Sequence, residues 1–274
     1  MEDAINYLKR TQFNPSKKMG QNFLINKEVY TSMVNKIDFS KYDLVLEIGP
    51  GLGALTDILI QKTKKIIVIE IDKRLSEYIA ERYKQYDAKK FELLNIDALK
   101  TNFNELAKEY KNTVIVSNLP YSISSIVVIK FIKSEIKNMY CMLQKEMVER
   151  MMAIPRTKQY NAFTVLLNTY CKIKKLVDIS RSSFYPVPEV DSTFISISKN
   201  NKSYDENYDK FIRMCFNSKR RTLLNNLKNI IDKNTLSLYL KKNKISGNAR
   251  AEELTYLGFI SLYNFYIKNN GKKN

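Results

Sequence analysis

Histidine is missing altogether from the 274 residues. Without an imidazole there is no His general base, no Ser-His pair and no His-ligated metal. The chemistry must run on carboxylates, amides, backbone groups and a cofactor. Cysteine is scarce: Cys141, Cys171 and Cys215 lie far apart with no paired spacing. That argues against a disulfide framework or a zinc site and fits a reducing cytosol. No run reaches the roughly 20 apolar residues that span a bilayer, and MEDAINYLKR lacks a signal-peptide core. The expectation is a cytoplasmic, monomeric chain with no membrane partner and no metal. Glycine is sparse too, seven in all, so a cluster of glycines marks a place where the backbone needs them.

Positive charge is abundant. Lys and Arg number 46 against 28 Asp and Glu, a net of +18. Such a surplus favours polyanionic partners, either nucleic acid or an anionic membrane surface. It is uneven: residues 199–274 carry 16 Lys and Arg against 6 Asp and Glu, a net of +10, which leaves +8 for the first 198. The blander explanation is a Lys-rich composition, 36 Lys to 10 Arg, with a generic solvated surface.

A basic segment, NPSKKMGQNFLI, precedes an amphipathic stretch near residues 27–38. VLEIG (45–49) and IIVIEI (66–71) read as short buried strands, with a helical pattern from Ala54 to about Lys62 between them. FELLNI (91–96), TVIVSNL (113–119) and NMYCMLQ (138–144) are further strand candidates, followed by a charged helix from Gln144 to about Ala153. Buried strands alternating with helices imply a parallel α/β sheet. A polar run, KNNKSYDENYD, then separates FYPVPEVDSTFISIS (184–198) from a region with apolar residues at helical spacing. The boundary is placed near residue 200: an α/β domain over 1–200, with a basic N-terminal segment over 1–26, and a small helical domain over 205–274.

Three of the seven glycines fall in Gly49-Pro50-Gly51-Leu52-Gly53, closing a strand and opening a helix, in the frame Glu47-x-Gly49-x-Gly51-x-Gly53. Glycines let a backbone turn tightly and approach a ligand. Glu70 follows Gly49 by 21 residues at the tip of the next strand, where an acid accepts hydrogen bonds from ribose hydroxyls. Asp97, after the third strand, suits an adenine amino group or, alternatively, a helix N-cap. Ala54 breaks the dinucleotide fingerprint, and no P-loop lysine is present. The better match is the cofactor that joins an amino acid to adenosine.

Asn118-Leu119-Pro120-Tyr121 follows the strand TVIVS. An exocyclic adenine amine is a poor nucleophile because its lone pair is delocalised into the ring. Two acceptors aimed at its hydrogens localise that pair. The Asn118 side-chain oxygen and the Leu119 carbonyl can supply both, Pro120 fixes the backbone, and Tyr121 offers a ring for stacking. The plainer alternative is an Asn-x-Pro turn after a strand. Phe184, in Phe184-Tyr185-Pro186-Val187-Pro188, suits either the opposite face of the base or the core.

Together these segments resemble the KsgA/RsmA family of small-subunit ribosomal RNA adenine dimethyltransferases. The likeness runs through Gly20-Gln21-Asn22-Phe23-Leu24, LEIGPGLGALT, EID, NIDAL, NLPY, LQKEMVERM, FYPVPEVDS and SKRRTLLNNL (218–227), in that family's order. It implies a Rossmann-like, seven-stranded methyltransferase sheet, S-adenosylmethionine as cofactor, and dimethylation of two adjacent adenosines in the terminal hairpin loop of small-subunit RNA, late in ribosome assembly. By that resemblance Asn22, Leu24, Gly49, Gly51, Glu70, Asp97 and Asn118 bind the cofactor, and Tyr121 and Phe184 sandwich the base. Lys219, Arg220 and Arg221, on a predicted helix, read as a phosphate clamp. Met19, Ser117, Ser122, Val187 and Glu189 depart from the family's usual residues; Glu189 removes a phosphate contact. The competing readings are a large-subunit RNA adenine methyltransferase of the macrolide-resistance type, a non-catalytic ribosome-assembly factor, and a DNA adenine methyltransferase, for which no target-recognition domain is visible.

Overall fold

The computed structural model describes residues 4–16 and 19–270. Lys17 and Lys18, part of the basic N-terminal segment, lie outside those residues. In chain order the elements begin with α1 (Ala4–Arg10), β1 (Phe23–Leu24), α2 (Lys27–Val34), β2 (Leu44–Ile48), α3 (Thr56–Lys62) and β3 (Lys65–Ile69). Next come α4 (Lys73–Arg82), β4 (Phe91–Leu94), α5 (Phe103–Ala107), β5 (Thr113–Asn118), α6 (Ser124–Lys133), β6 (Asn138–Gln144) and α7 (Lys145–Met151). The chain continues through α8 (Ala162–Tyr170), β7 (Cys171–Ile179), β8 (Phe184–Tyr185), β9 (Ser192–Lys199), α9 (Glu206–Cys215), α10 (Leu223–Leu227), α11 (Lys233–Lys242) and α12 (Tyr256–Asn270).

Two compact units share these elements. The first runs to Val148 and resumes over Ile173–Lys199. Its sheet has seven strands in the order β4-β3-β2-β5-β6-β9-β7, parallel from β4 to β6, with β9 antiparallel to β6. β2 and β3 are buried at all five positions, the consequence of a parallel sheet covered on both faces. Ile48 pairs with Ile69, and Ile69 with Leu94, so β2, β3 and β4 end on one line. The segments that follow them therefore gather at one edge. Carboxyl ends of such strands are where α/β sheets take ligands. A separate two-residue ladder pairs Phe23 with Tyr185 and Leu24 with Phe184, tying the N-terminal segment to the FYPVPEV loop.

The second unit comprises Glu149–Lys172 and Asn200–Asn274, so residues 149–172, placed with the α/β domain on sequence grounds, group with the helical one. The physical reason is α8. Its N-terminus is closed by a capping box between Asn161 and Thr164, and it buries six of its nine residues. Those faces pack on α9 and α12, partners dozens of residues further along the chain. The Tyr160 hydroxyl donates to the Leu254 carbonyl at 2.8 Å, fastening the same arrangement.

Candidate active site

A cavity of about 340 Å³ opens at the carboxyl edge of the sheet. Its walls come from Met19–Leu24, the glycine turn after β2, Glu70 and Ile71 after β3, Ile96–Leu99 after β4, and Asn118–Ile123 at the end of β5.

The glycine turn is left-handed at Gly49, Gly51 and Gly53, with φ of +67°, +58° and +84°. L-residues adopt such angles at a cost of roughly 1–2 kcal/mol each. Space is as restrictive as the dihedral. A Cβ at Gly51 would stand 2.9 Å from the Phe23 ring, and one at Gly53 would meet the Tyr83 hydroxyl at 2.5 Å. Tyr83 is itself braced, its hydroxyl 2.7 Å from Asp57 Oδ1, while Arg82 Nη2 pairs with Asp57 Oδ2 at 2.6 Å. The glycines thus admit Phe23 from above and Tyr83 from behind, and leave bare backbone at the cavity.

Three carboxylates line the same wall. Glu70 is 5% exposed; burial pushes its carboxyl up to about 7, against backbone N–H donors from Asp72, Ile71 and Gly51. The Asp72 N–H lies 2.8 Å from Glu70 Oε1. Asp97 accepts the Leu99 N–H on Oδ1 at 2.8 Å. The turn role and a place in the cavity wall therefore coexist, one oxygen serving the turn. Glu47, which carried no role in the sequence reading, is 1% exposed, accepts from the Thr56 hydroxyl at 2.7 Å, and is pushed up to about 8 by burial. A charge inside the otherwise apolar strand LVLEI is the signal in the sequence that could have marked it.

Asn118 lines the cavity as the last residue of β5. Its Nδ2 donates to the Asn22 carbonyl at 3.5 Å, which turns Oδ1 the other way, an orientation assigned from hydrogen bonding. Leu119 borders the cavity with 0% exposure. Pro120 packs its ring where a Gly49 Cβ would stand at 3.3 Å. Tyr121 is half-buried, and its hydroxyl is 2.7 Å from Ser192 Oγ, a residue of FYPVPEVDS that sequence reasoning gave no role. That bond and burial of the phenol, which raises its pKa, fix the ring at the cavity wall.

Phe184 is brought near but not in. It is 1% exposed and packs in the core with Leu24, Met33, Ile179 and Phe194, so it presents no face to a base in this structure and instead backs Leu24. Lys219, Arg220 and Arg221 belong to the second unit. They are exposed as expected, but on a turn rather than a helix. Thr222 caps α10 by accepting the Asn225 N–H, and Asn226 Nδ2 donates to the Cys215 and Ser218 carbonyls at 2.8 and 3.1 Å. Those caps stop the helix short of Arg221.

The cavity fits S-adenosylmethionine on its own chemistry. A Cβ-free turn suits close approach of the methionine end, a buried carboxylate after β3 suits ribose hydroxyls, and apolar Ile71 and Ile96 beside Asp97 suit an adenine ring. Among the described residues no cluster of metal-ligating side chains occurs, and no helix is long and apolar enough to cross a membrane.

Comparisons with known proteins give the chain's family. The family model described as ribosomal RNA adenine dimethylase matches residues 12–268. The ribosomal RNA small subunit methyltransferase A of Ureaplasma urealyticum is 42% identical, covering 97% of this chain and 98% of that protein. Its counterpart in Clostridium botulinum is 35% identical over 89% and 91%. Among solved structures, a dimethyladenosine transferase from Plasmodium falciparum superposes with a TM-score of 0.69 at 30% identity, covering 88% of this chain and 97% of that one. The 23S rRNA methyltransferase ErmE shares the fold, with a TM-score of 0.67 at 21% identity over 89% and 99%. The match spans nearly the whole chain, and the chain belongs to the ribosomal RNA adenine dimethylase family, enzymes that use S-adenosylmethionine.

Proposed function

We propose that this enzyme dimethylates the exocyclic amino groups of two adjacent adenosines in the terminal hairpin loop of small-subunit ribosomal RNA, late in ribosome assembly, acting as a cytoplasmic monomer. The observation that carries the proposal is that Asn118 lines a single cavity together with the glycine turn and Tyr121. The relatives named small-subunit methyltransferase A support the choice of subunit.

S-adenosylmethionine, when bound, supplies an electrophilic methyl group on sulfonium. The chain's own residues bind and orient. Glu70 would hold the ribose, Asp97 and Leu99 the adenine, and the bare backbone of Gly49 and Gly51 the methionine end, with Asn22 and Leu24 covering the cavity. Asn118 Oδ1 accepts a hydrogen from the target amine, with the Leu119 carbonyl as the second acceptor. The nitrogen lone pair is thereby drawn out of conjugation. Tyr121, held by Ser192, stacks the base; such stacking contributes roughly 1–3 kcal/mol. No strong base is required, because the amine nitrogen gives up its proton to water only after methylation has made it cationic and acidic. In the second unit, Lys219, Arg220 and Arg221 grip phosphates, Arg forks matching the oxygens.

Incubating small and large ribosomal subunits purified from cells that lack the enzyme with it and labelled cofactor, then digesting the RNA to nucleosides, tests this. Dimethyladenosine in the small-subunit RNA alone supports the proposal. Label in large-subunit RNA assigns the other specificity, and label in neither refutes the activity.

A further inference from the structure

Gln21 fastens the cover of the cofactor cavity at a point that methyl transfer itself does not use. Both ends of its amide are engaged: Oε1 accepts the Ser16 N–H at 2.7 Å, and Nε2 donates to Asp72 Oδ2 at 2.9 Å while lying 3.8 Å from the Met19 sulfur. Asp72 is 5% exposed and chelated by Arg74, whose Nε and Nη2 lie 3.0 and 2.6 Å from its two oxygens. That guanidinium, aided by Gln21, holds the carboxyl at about 2, so it accepts at every working pH. The Asp72 N–H in turn donates to Glu70. A continuous run of hydrogen bonds leads from the N-terminal segment to the carboxylate facing the ribose.

We infer that Gln21 is a positioning residue for cofactor binding, closing Met19–Leu24 over the cavity and fixing the turn that orients Glu70. The inference rests on the cavity being the S-adenosylmethionine site. Residue chemistry supports it: a neutral amide both accepts from a backbone N–H and donates to a carboxylate. A glutamate there would set a second anion against Asp72 with Glu70 nearby, and Arg74 already committed. A lysine would donate but could not accept from Ser16.

The test uses the full chain, with Gln21→Ala and Gln21→Glu beside the parent, titrated calorimetrically with S-adenosylhomocysteine between about pH 5 and 8. Loss of one hydrogen bond to a charged group predicts binding weaker by about 10-fold in Gln21→Ala. Gln21→Glu should bind more weakly still at the alkaline end. Relative to the parent at each pH, it should recover towards acid, because a protonated carboxyl again donates to Asp72. Faster hydrogen exchange over Met19–Leu24 in both variants completes the expected result, a readout available even where activity is lost. Parental affinity in both variants overturns the inference, as does a Gln21→Glu pH profile parallel to that of Gln21→Ala. A parent that does not bind S-adenosylhomocysteine refutes the site assignment instead.

Discussion

Replacing Gly51 with alanine should weaken cofactor binding by about 10- to 100-fold, and the structure supplies the magnitude. The left-handed φ of +58° alone costs an alanine roughly 1–2 kcal/mol. The added methyl would stand 2.9 Å from a Phe23 ring that is 5% exposed, closer than carbon atoms tolerate. Either the turn shifts or Phe23 leaves its place against Leu8, Leu52 and Leu75, giving up part of the roughly 1.5–3 kcal/mol that burial of such a ring contributes. A cover held open by even about 1.4–2.8 kcal/mol lowers apparent affinity by one to two orders of magnitude. Calorimetric titration with S-adenosylhomocysteine measures this. The cycle with Phe23→Ala sharpens it: since the clash needs both groups, the double variant should lose clearly less than the sum of the singles. Unaltered affinity in Gly51→Ala, or strict additivity in the cycle, would refute the reasoning.

Three further outcomes follow from the same geometry. Burial raises Glu70 to about 7; ribose hydroxyls favour its charged form, so cofactor affinity should climb from pH 6 to 8 with proton release, visible as buffer-dependent binding enthalpy. For the cofactor-free protein the sign is opposite. Glu47 and Glu70 have folded values above the unfolded range, so the stability they contribute is complete below about pH 4 and is lost as pH rises through about 7 and 8; thermal melts of Glu47→Gln should lack part of that decline. Tyr121→Ala should raise the RNA KM by about 5- to 150-fold, whereas Tyr121→Phe, which keeps the ring and loses only the Ser192 contact, should stay within a few-fold. Substituting Arg220 and Arg221 together should weaken RNA binding at every salt concentration and reduce the salt slope by about two; an unchanged slope would count against phosphate contact.

The central sheet was legible because parallel strands buried on both faces are written as mostly apolar runs. LVLEI, KIIVI, TVIVSN and NMYCMLQ each stand out from their surroundings, and each is a strand within a residue or two of its expected limits. β7 was not legible: CKIKKLVDI mixes lysines with apolar residues because it lies at the sheet's edge, half open to solvent. The residues that line the cavity were legible as interruptions, glycines where a turn is left-handed and carboxylates in or after strands. Side-chain facing was not. Phe184 and Tyr185 are neighbours in FYPVPEV, and only the ladder with β1 decides which of them enters the core. Nor does a linear chain announce contacts such as Gln21 with Asp72 or Tyr121 with Ser192, separated by 51 and 71 residues. The turn at Lys219–Arg221 was the avoidable miss, since Thr222 is a good N-cap just ahead of the apolar helix LLNNL.

Single-turnover methyl transfer by Asn118→Ala, compared with the parent at saturating S-adenosylmethionine and small-subunit RNA, bears most directly on the mechanism. Loss of the acceptor that localises the amine lone pair should slow the chemical step by about 100- to 1,000-fold, the scale seen when one preorganised hydrogen bond is removed from an active site. A folded Asn118→Ala protein that methylates adenosine at the parental rate would contradict the account.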